Sequence, residues 1–298
     1  MPQKLINLQT TDYEHPFDRS ALQTLKAVPG LNNIVAFFLK WGYIKWEVVA
    51  MCGNDFHVTK DAIPDLFALR GNVGERLDID KMPELYMEQN YQINAYTTGA
   101  LGPKEPAYIV LTTGAVDKLT DEELTFVIGH EAGHYKSDHV VYHLLATYLG
   151  VLLKSVPNFA AMPISGPLNY WSRMSEFTAD RAGLLACQDL TAALRAIMKM
   201  AGLPERYYGE ASSVDGFMKQ AREFSETYCT TEDKLIKLLT IFNADHPWTV
   251  VRAAELIKWV DAGEYDKILA KTKPRECPKC HSQVNADYDK CPTCGYKF

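Results

Sequence analysis

The chain has 298 residues, 47% hydrophobic and 23% charged, which fits a globular protein and is too apolar for a disordered one. Lys and Arg number 31 against 37 Asp and Glu, a net charge of −6, which argues against a dedicated nucleic-acid binder. The length holds one large domain or two of usual size, with a sizeable core.

The first residues, MPQKLINLQTTDYEHPFD, carry no apolar run behind a basic one, so no secretory leader is read and a reducing, cytoplasmic location is expected. Residues 1–70 read as a helical region packing on the main domain, which spans 71–263. Within the helical region, Asp18 to Val28 has Leu22, Leu25 and Val28 at helical spacing and is ended by Pro29-Gly30. Ile34 to Cys52 contains Lys40, Lys45 and Glu47 and reads as one amphipathic, aromatic-rich helix. In the main domain, Glu84 to Gln89, Ile93 to Thr97 and Tyr108 to Leu111 read as strands of a small antiparallel sheet, punctuated by Gly99, Gly102, Pro103 and Pro106. Thr120 and Glu123 form a capping box that starts a helix.

Val140 to Met162 is apolar but broken by His143, Lys154 and Pro157. Its clean stretch, Leu144 to Leu153, is shorter than the ~20 residues a span needs. It reads as a buried core helix, with peripheral membrane contact left open. Further helices are predicted near 168–187, 189–201, 213–228, 231–243 and 247–262. A charged connector, 264–276, leads to a separate small unit, 277–298. The fold class is therefore α+β, mainly α.

The sharpest motif is His130-Glu131-Ala132-Gly133-His134. Residues four apart on a helix share a face, so both imidazoles can address one ion. Glu131 lies about 100° around the helix, where it reaches a water without being a ligand. The apolar flank Leu124 to Ile128 marks a core helix, and burying two histidines and a glutamate there is costly without partners. A catalytic zinc takes three protein ligands, and Glu176 is the choice for the third. Asp180, four residues on, can accept a hydrogen bond from the outer ring nitrogen of a ligand histidine. Taken alone, Glu176 and Asp180 also read as a solvated acidic face. His139 and His143 are again four apart, with Asp138 the nearby carboxylate; they read as surface or satisfied core residues rather than a second metal site.

With these residues in view, the sequence resembles the M48 family of zinc metallopeptidases, which includes the CAAX prenyl proteases and the bacterial heat-shock protease HtpX. The resemblance covers roughly Leu85 to Arg252. It rests on Asn94-Ala95-Tyr96-Thr97-Thr98-Gly99, on Tyr108 to Leu119, on HEAGH, on Glu176-Phe177-Thr178-Ala179-Asp180, and on His246-Pro247 followed by Arg252. It implies a gluzincin (zincin-like) domain over 71–263, with His130, His134 and Glu176 on zinc. Glu131 is implied as general base and later proton donor. Asp180 and Arg252 are implied behind the ligands. His246 is implied to face the zinc and stabilise the oxyanion, and Asn94 and Ala95 to pair with the substrate backbone. The long membrane spans of the family's integral members are missing, so the chain resembles its soluble, minimal members.

The tail carries Cys277-x2-Cys280 and Cys291-x2-Cys294, a zinc-ribbon pattern in which each turn aims two thiolates at one ion. So small a unit needs metal to fold. An iron–sulfur or rubredoxin-like iron site is the alternative occupant. Cys52, Cys187 and Cys229 are scattered and read as small buried residues rather than disulfide halves or nucleophiles. The expected cofactors are two zinc ions, one catalytic and one structural. The expected activity is zinc-dependent endopeptidase cleavage of a peptide or protein, with the ribbon free to recruit a protein partner. The rival readings are a zinc-binding adaptor with little turnover and a membrane-associated quality-control protease.

Overall fold

The computed structural model describes residues 2–100, 105–155, 164–227, 248–286 and 288–298. Its helices are α1 (Thr10–Tyr13), α2 (Pro16–Lys26), α3 (Leu31–Lys40), α4 (Tyr43–Asn54), α5 (Pro64–Arg76), α6 (Thr113–Lys118), α7 (Asp121–Lys136), α8 (Val140–Ser155), α9 (Ser165–Cys187), α10 (Leu190–Met200), α11 (Ala211–Thr227), α12 (Thr249–Asp261) and α13 (Glu264–Lys271). The strands are β1 (Phe56–His57), β2 (Glu84–Glu88), β3 (Ala95–Gly99), β4 (Ala107–Thr112), β5 (Pro274–Glu276) and β6 (Gln283–Asn285). The predicted helix at 231–243, Cys229 and His246 lie outside the described residues, as does the end of the apolar run, 156–162.

The main sheet has the order β1-β2-β4-β3. It is mixed, not wholly antiparallel: β4 pairs antiparallel with β3, Thr97 opposite Ile109, and parallel with β2, Leu85 opposite Ile109. The reason is burial. All six residues of β4 are buried, so this strand takes the sheet's interior, while β3 is half exposed and takes an edge. Consecutive strands β2 and β3 are thereby separated by β4.

The segment read as one helix over 34–52 is two, α3 and α4. Gly42, with φ of 76°, caps α4 in the left-handed region and breaks the helical path. Helix α8 buries Leu144, Leu145, Leu149 and Leu152 and exposes Val151, so it is a one-sided helix at the rim of a core. Among the described residues no helix is long and apolar enough to cross a membrane. The 264–276 segment is α13, whose Ile268 is buried, followed by β5.

Two apolar cores flank α7 and α9. The larger holds Leu5, Leu8, Phe126, Ile128, Leu184 and Leu194; the other, under α2, α3 and α8, holds Leu25, Ile34, Phe38, Leu149 and Trp171. The N-terminal segment is tied to both ends of the fold. Leu5 N–H donates to Arg76 O at 3.1 Å and Ile6 N–H to Thr272 O at 3.0 Å. The Asn285 side-chain amide donates to Ile6 O at 3.0 Å.

Helix α7 starts at the predicted capping box. Thr120 Oγ1 accepts the Glu123 N–H at 3.4 Å and Glu123 Oε2 accepts the Thr120 N–H at 2.9 Å. Glu123 is itself buried and pairs with buried Lys199 at 2.6 Å. Every residue from Glu123 to His134 is buried. That is achieved by a seam of small residues against α9. A Cβ added at Gly129 would lie 2.4 Å from the Ala186 methyl, one at Gly133 2.5 Å from that of Ala182, and one at Gly183 2.8 Å from the Phe126 ring.

This seam sets a sign for glycine replacement. In a helix, Gly→Ala gains up to ~1 kcal/mol of propensity. At Gly129 the methyl meets another methyl with no flexible end to yield, and overpacking costs ~1–3 kcal/mol. Gly129→Ala is therefore expected to lower the thermal midpoint. Gly150→Ala, on exposed ground of α8 with nothing within 4 Å, is expected to raise it. Calorimetry of the two variants checks the opposed signs.

Candidate active site

The ends of β3, α7, α8 and α9 enclose a cavity of about 260 Å³. His130 and His134, one turn apart on α7, both face it, and Glu176 enters from α9. The two Nε2 atoms are 3.2 Å apart. Glu176 Oε1 is 3.2 Å from His134 Nε2, and Oε2 is 3.5 Å from His130 Nε2. Tetrahedral ligands at ~2.1 Å from an ion lie about 3.4 Å from one another, so this buried His-His-Glu set has the donor types and spacing for zinc.

Behind the donors sits a buried ionic layer. Asp180 Oδ1 is 3.0 Å from His130 Nδ1. Arg252, from α12, grips Asp180 with two prongs, Nη2 to Oδ1 at 2.5 Å and Nε to Oδ2 at 2.8 Å, and its Nη1 lies 3.7 Å from Glu176. Burial pushes the Asp180 carboxyl up, but Arg252 and His130 outweigh it and hold its pKa below the ordinary carboxylate value. Burial would lower His130 too; there Asp180 and Glu176 prevail and hold it up at about 9. At His134 burial dominates and the pKa is lowered. A loaded site requires both imidazoles neutral, so His130 is the ring whose proton a cation must displace.

Glu131 faces the same cavity. Its Oε2 accepts a hydrogen bond from Thr97 Oγ1 at 2.7 Å. Thr97 belongs to β3, so the edge strand and the HEAGH helix are joined at the carboxylate. Taken residue by residue, the chain assigns Thr97 no role before folding, although it stands inside the Asn94–Gly99 motif. Asn94 and Ala95 also line the cavity. The Asn94 N–H bonds Thr112 Oγ1 at 3.0 Å, and Ala95 pairs with Leu111 on the inner side of β3. His143 lines the cavity with both ring nitrogens on serine hydroxyls, Ser175 at 2.8 Å and Ser172 at 3.1 Å. His139 is buried, while Asp138 is exposed.

The four tail cysteines also converge. Their sulfurs lie within 4.8 Å of one another, with Cys277–Cys294 and Cys280–Cys291 at 3.6 Å. Sulfurs on a tetrahedral ion at ~2.3 Å would be about 3.8 Å apart. Each C-x2-C turn is closed alike. The His281 N–H bonds Cys277 O and the Gly295 N–H bonds Cys291 O, both at 2.9 Å, with His281 and Gly295 in the left-handed region.

The profile of Peptidase family M48 matches residues 73–260. The chain belongs to peptidase family M48. It is 33% identical over 271 residues to the plastoglobule-localized metallopeptidase 48 of Arabidopsis thaliana, covering 89% of this chain and 77% of that one. It is 25% identical to a protease HtpX homolog of Burkholderia thailandensis (77% and 85% covered), and 27% identical to protease HtpX homolog 2 of Methanosarcina acetivorans (59% and 68% covered). No solved structure matches the chain. M48 membership supports a metal-dependent protease, and the histidine and cysteine groups fit metal binding. The M48 match begins within α5, so α1 to α4 precede the matched residues.

The ionic layer makes a pH-dependent prediction. A carboxylate whose folded pKa is depressed contributes stability that is complete above its unfolded value, about 4, and lost as pH falls through the folded value. Arg252→Leu leaves Asp180 buried without its cation and is expected to cost ~3–5 kcal/mol at neutral pH. Because Asp180 then protonates readily, the gap to the wild type should narrow toward pH 4. Urea unfolding of metal-free protein at both pH values checks this.

Proposed function

We propose that the chain is a zinc-dependent endopeptidase whose catalytic zinc is held by His130, His134 and Glu176. The observation that carries this reading is the buried triangle of two imidazole nitrogens and one carboxylate at 3.2–3.5 Å, with Glu131 beside it. When bound, zinc supplies Lewis acidity that polarises a carbonyl and lowers the pKa of a water. Glu131 takes the proton of the attacking water and returns it to the leaving amine. The Thr97 hydroxyl fixes the rotation of that carboxylate and leaves it lone pairs for the water. Asp180 accepts from His130 Nδ1–H and so leaves Nε2 as the donor, while Arg252 keeps Asp180 ionised. His246, outside the described residues, is assigned to the developing oxyanion on the family resemblance.

The substrate is an extended peptide laid along the outer edge of β3, with Ala95 offering its backbone groups; those of Asn94 are taken by Thr112, so Asn94 anchors the start of the strand. The opposite wall, formed by Val140, Leu144 and Tyr148 on α8, favours an apolar side chain next to the scissile bond. Cys277, Cys280, Cys291 and Cys294 hold a second, structural zinc. Residues 277–298 form a ribbon unit, and 71–263 the peptidase domain.

Two measurements test the reading. Metal analysis should find two zinc equivalents per chain. One should go in Cys277→Ser/Cys280→Ser and the other in His130→Ala/His134→Ala. On a quenched peptide library, Glu131→Gln should retain both metals yet cleave ~10²–10⁴-fold more slowly. Full cleavage by a metal-loaded Glu131→Gln protein would sink the proposal.

A further inference from the structure

Beyond the donors themselves, His134 has an outer ring nitrogen, and its partner is not a carboxylate. His134 Nδ1 faces His139 Nδ1 at 3.0 Å. The far nitrogen of His139, Nε2, lies 3.3 Å from Asp18 Oδ2. Asp18 comes from α2, before the part of the chain that matches the family, and is fully buried. Its carboxylate is held in place from two more sides. Thr178 Oγ1 donates to Oδ2 at 2.6 Å and Trp171 Nε1 donates to Oδ1 at 2.9 Å.

With His139 neutral, these contacts leave one consistent placement of protons. An ionised carboxylate only accepts, so His139 must carry a hydrogen on Nε2. A neutral His139 then has a lone pair on Nδ1 and accepts there. His134 must therefore carry its hydrogen on Nδ1, which leaves Nε2, the atom facing His130 and Glu176, with its lone pair free. We propose that Asp18 and His139 are positioning residues that fix the tautomer and orientation of His134 for the cation, so that the N-terminal helix completes the metal site. Resting on the zinc reading above, the relay gives His134 the support that Asp180 gives His130 directly. It also accounts for the three-histidine group His134, His139 and His143 without a second ion. His139 is committed to Asp18, and both nitrogens of His143 to serines.

The test is zinc affinity of the full chain, measured by chelator competition. The equivalent at the cysteines serves as an internal reference, and near-ultraviolet circular dichroism verifies the fold. His139→Leu removes the acceptor and should weaken the histidine-site zinc ~10–100-fold. His139→Gln, whose carbonyl can accept from His134 Nδ1, should recover most of that loss. Asp18→Asn should weaken the site too, but should add nothing in a His139→Leu background, because Asp18 acts through His139. If His139→Leu does not fold, Asp18→Asn carries the test alone with the same expected loss. Unchanged affinity in a folded His139→Leu protein, or additive losses in the double variant, would overturn the relay while leaving the zinc reading intact. A wild type that binds zinc only at its cysteines would overturn both.

Discussion

The close approach of α7 and α9 governs the rest of the molecule. Helix axes come this near only where side chains are absent, and here Gly129, Gly133 and Gly183 interleave with Ala182 and Ala186. The seam brings His130 and His134 on one helix within reach of Glu176 and Asp180 on the other. It also forces nearly everything on α7 to be buried, charged groups included. Three of the buried charges on α7 and α9 are met by specific partners: Glu123 by Lys199, Asp180 by Arg252, and Glu131 by the Thr97 hydroxyl. Backbone proximity therefore comes first, and the polar layer is the consequence that must be satisfied.

What the amino-acid order discloses depends on the range of the interaction. The capping box and the i, i+4 histidines are set within one helical turn, so HEAGH and its start could be read directly. The run Tyr108 to Leu111 could be read as a strand, but not that it would lie between β2 and β3 and run parallel to one of them, because neighbours in a sheet are chosen by long-range packing. Gly42 was visible, yet its left-handed conformation, which splits α3 from α4, depends on how the two helices seat. Glu176 and Asp180, read alone, were indistinguishable from a solvated acidic face. Their burial comes from the glycine seam, which is a property of two segments together. Lys199, Thr97 and Asp18 carried no local signal at all, since each acquires its partner from 34 residues away or more.

The polar layer also shows why the histidine pair is not symmetric. His130 leans on a carboxylate locked by a guanidinium, while His134 leans on another imidazole. The shifts run in opposite directions: Asp180 and Glu176 outweigh burial at His130, whereas burial dominates at His134. Asp180 stands directly behind His130, whereas the carboxylate on the His134 side, Asp18 of α2, stands one imidazole further back.

The clasp between the two chain ends bears on the order of assembly. Ile6 is held on one side by Thr272 and on the other by the amide of Asn285, so backbone made early is sandwiched by segments translated more than 260 residues later. Linking residues that far apart would be entropically costly in an open chain, but the packed body has already brought them together, and the clasp closes a short gap. A nascent chain holds both HEAGH histidines long before it holds Arg252 or the segment that pins Ile6. Vectorial synthesis thus leaves His130, His134 and Glu176 without the cation behind them until Arg252 has emerged, and Ile6 stays unfastened until Thr272 and Asn285 arrive.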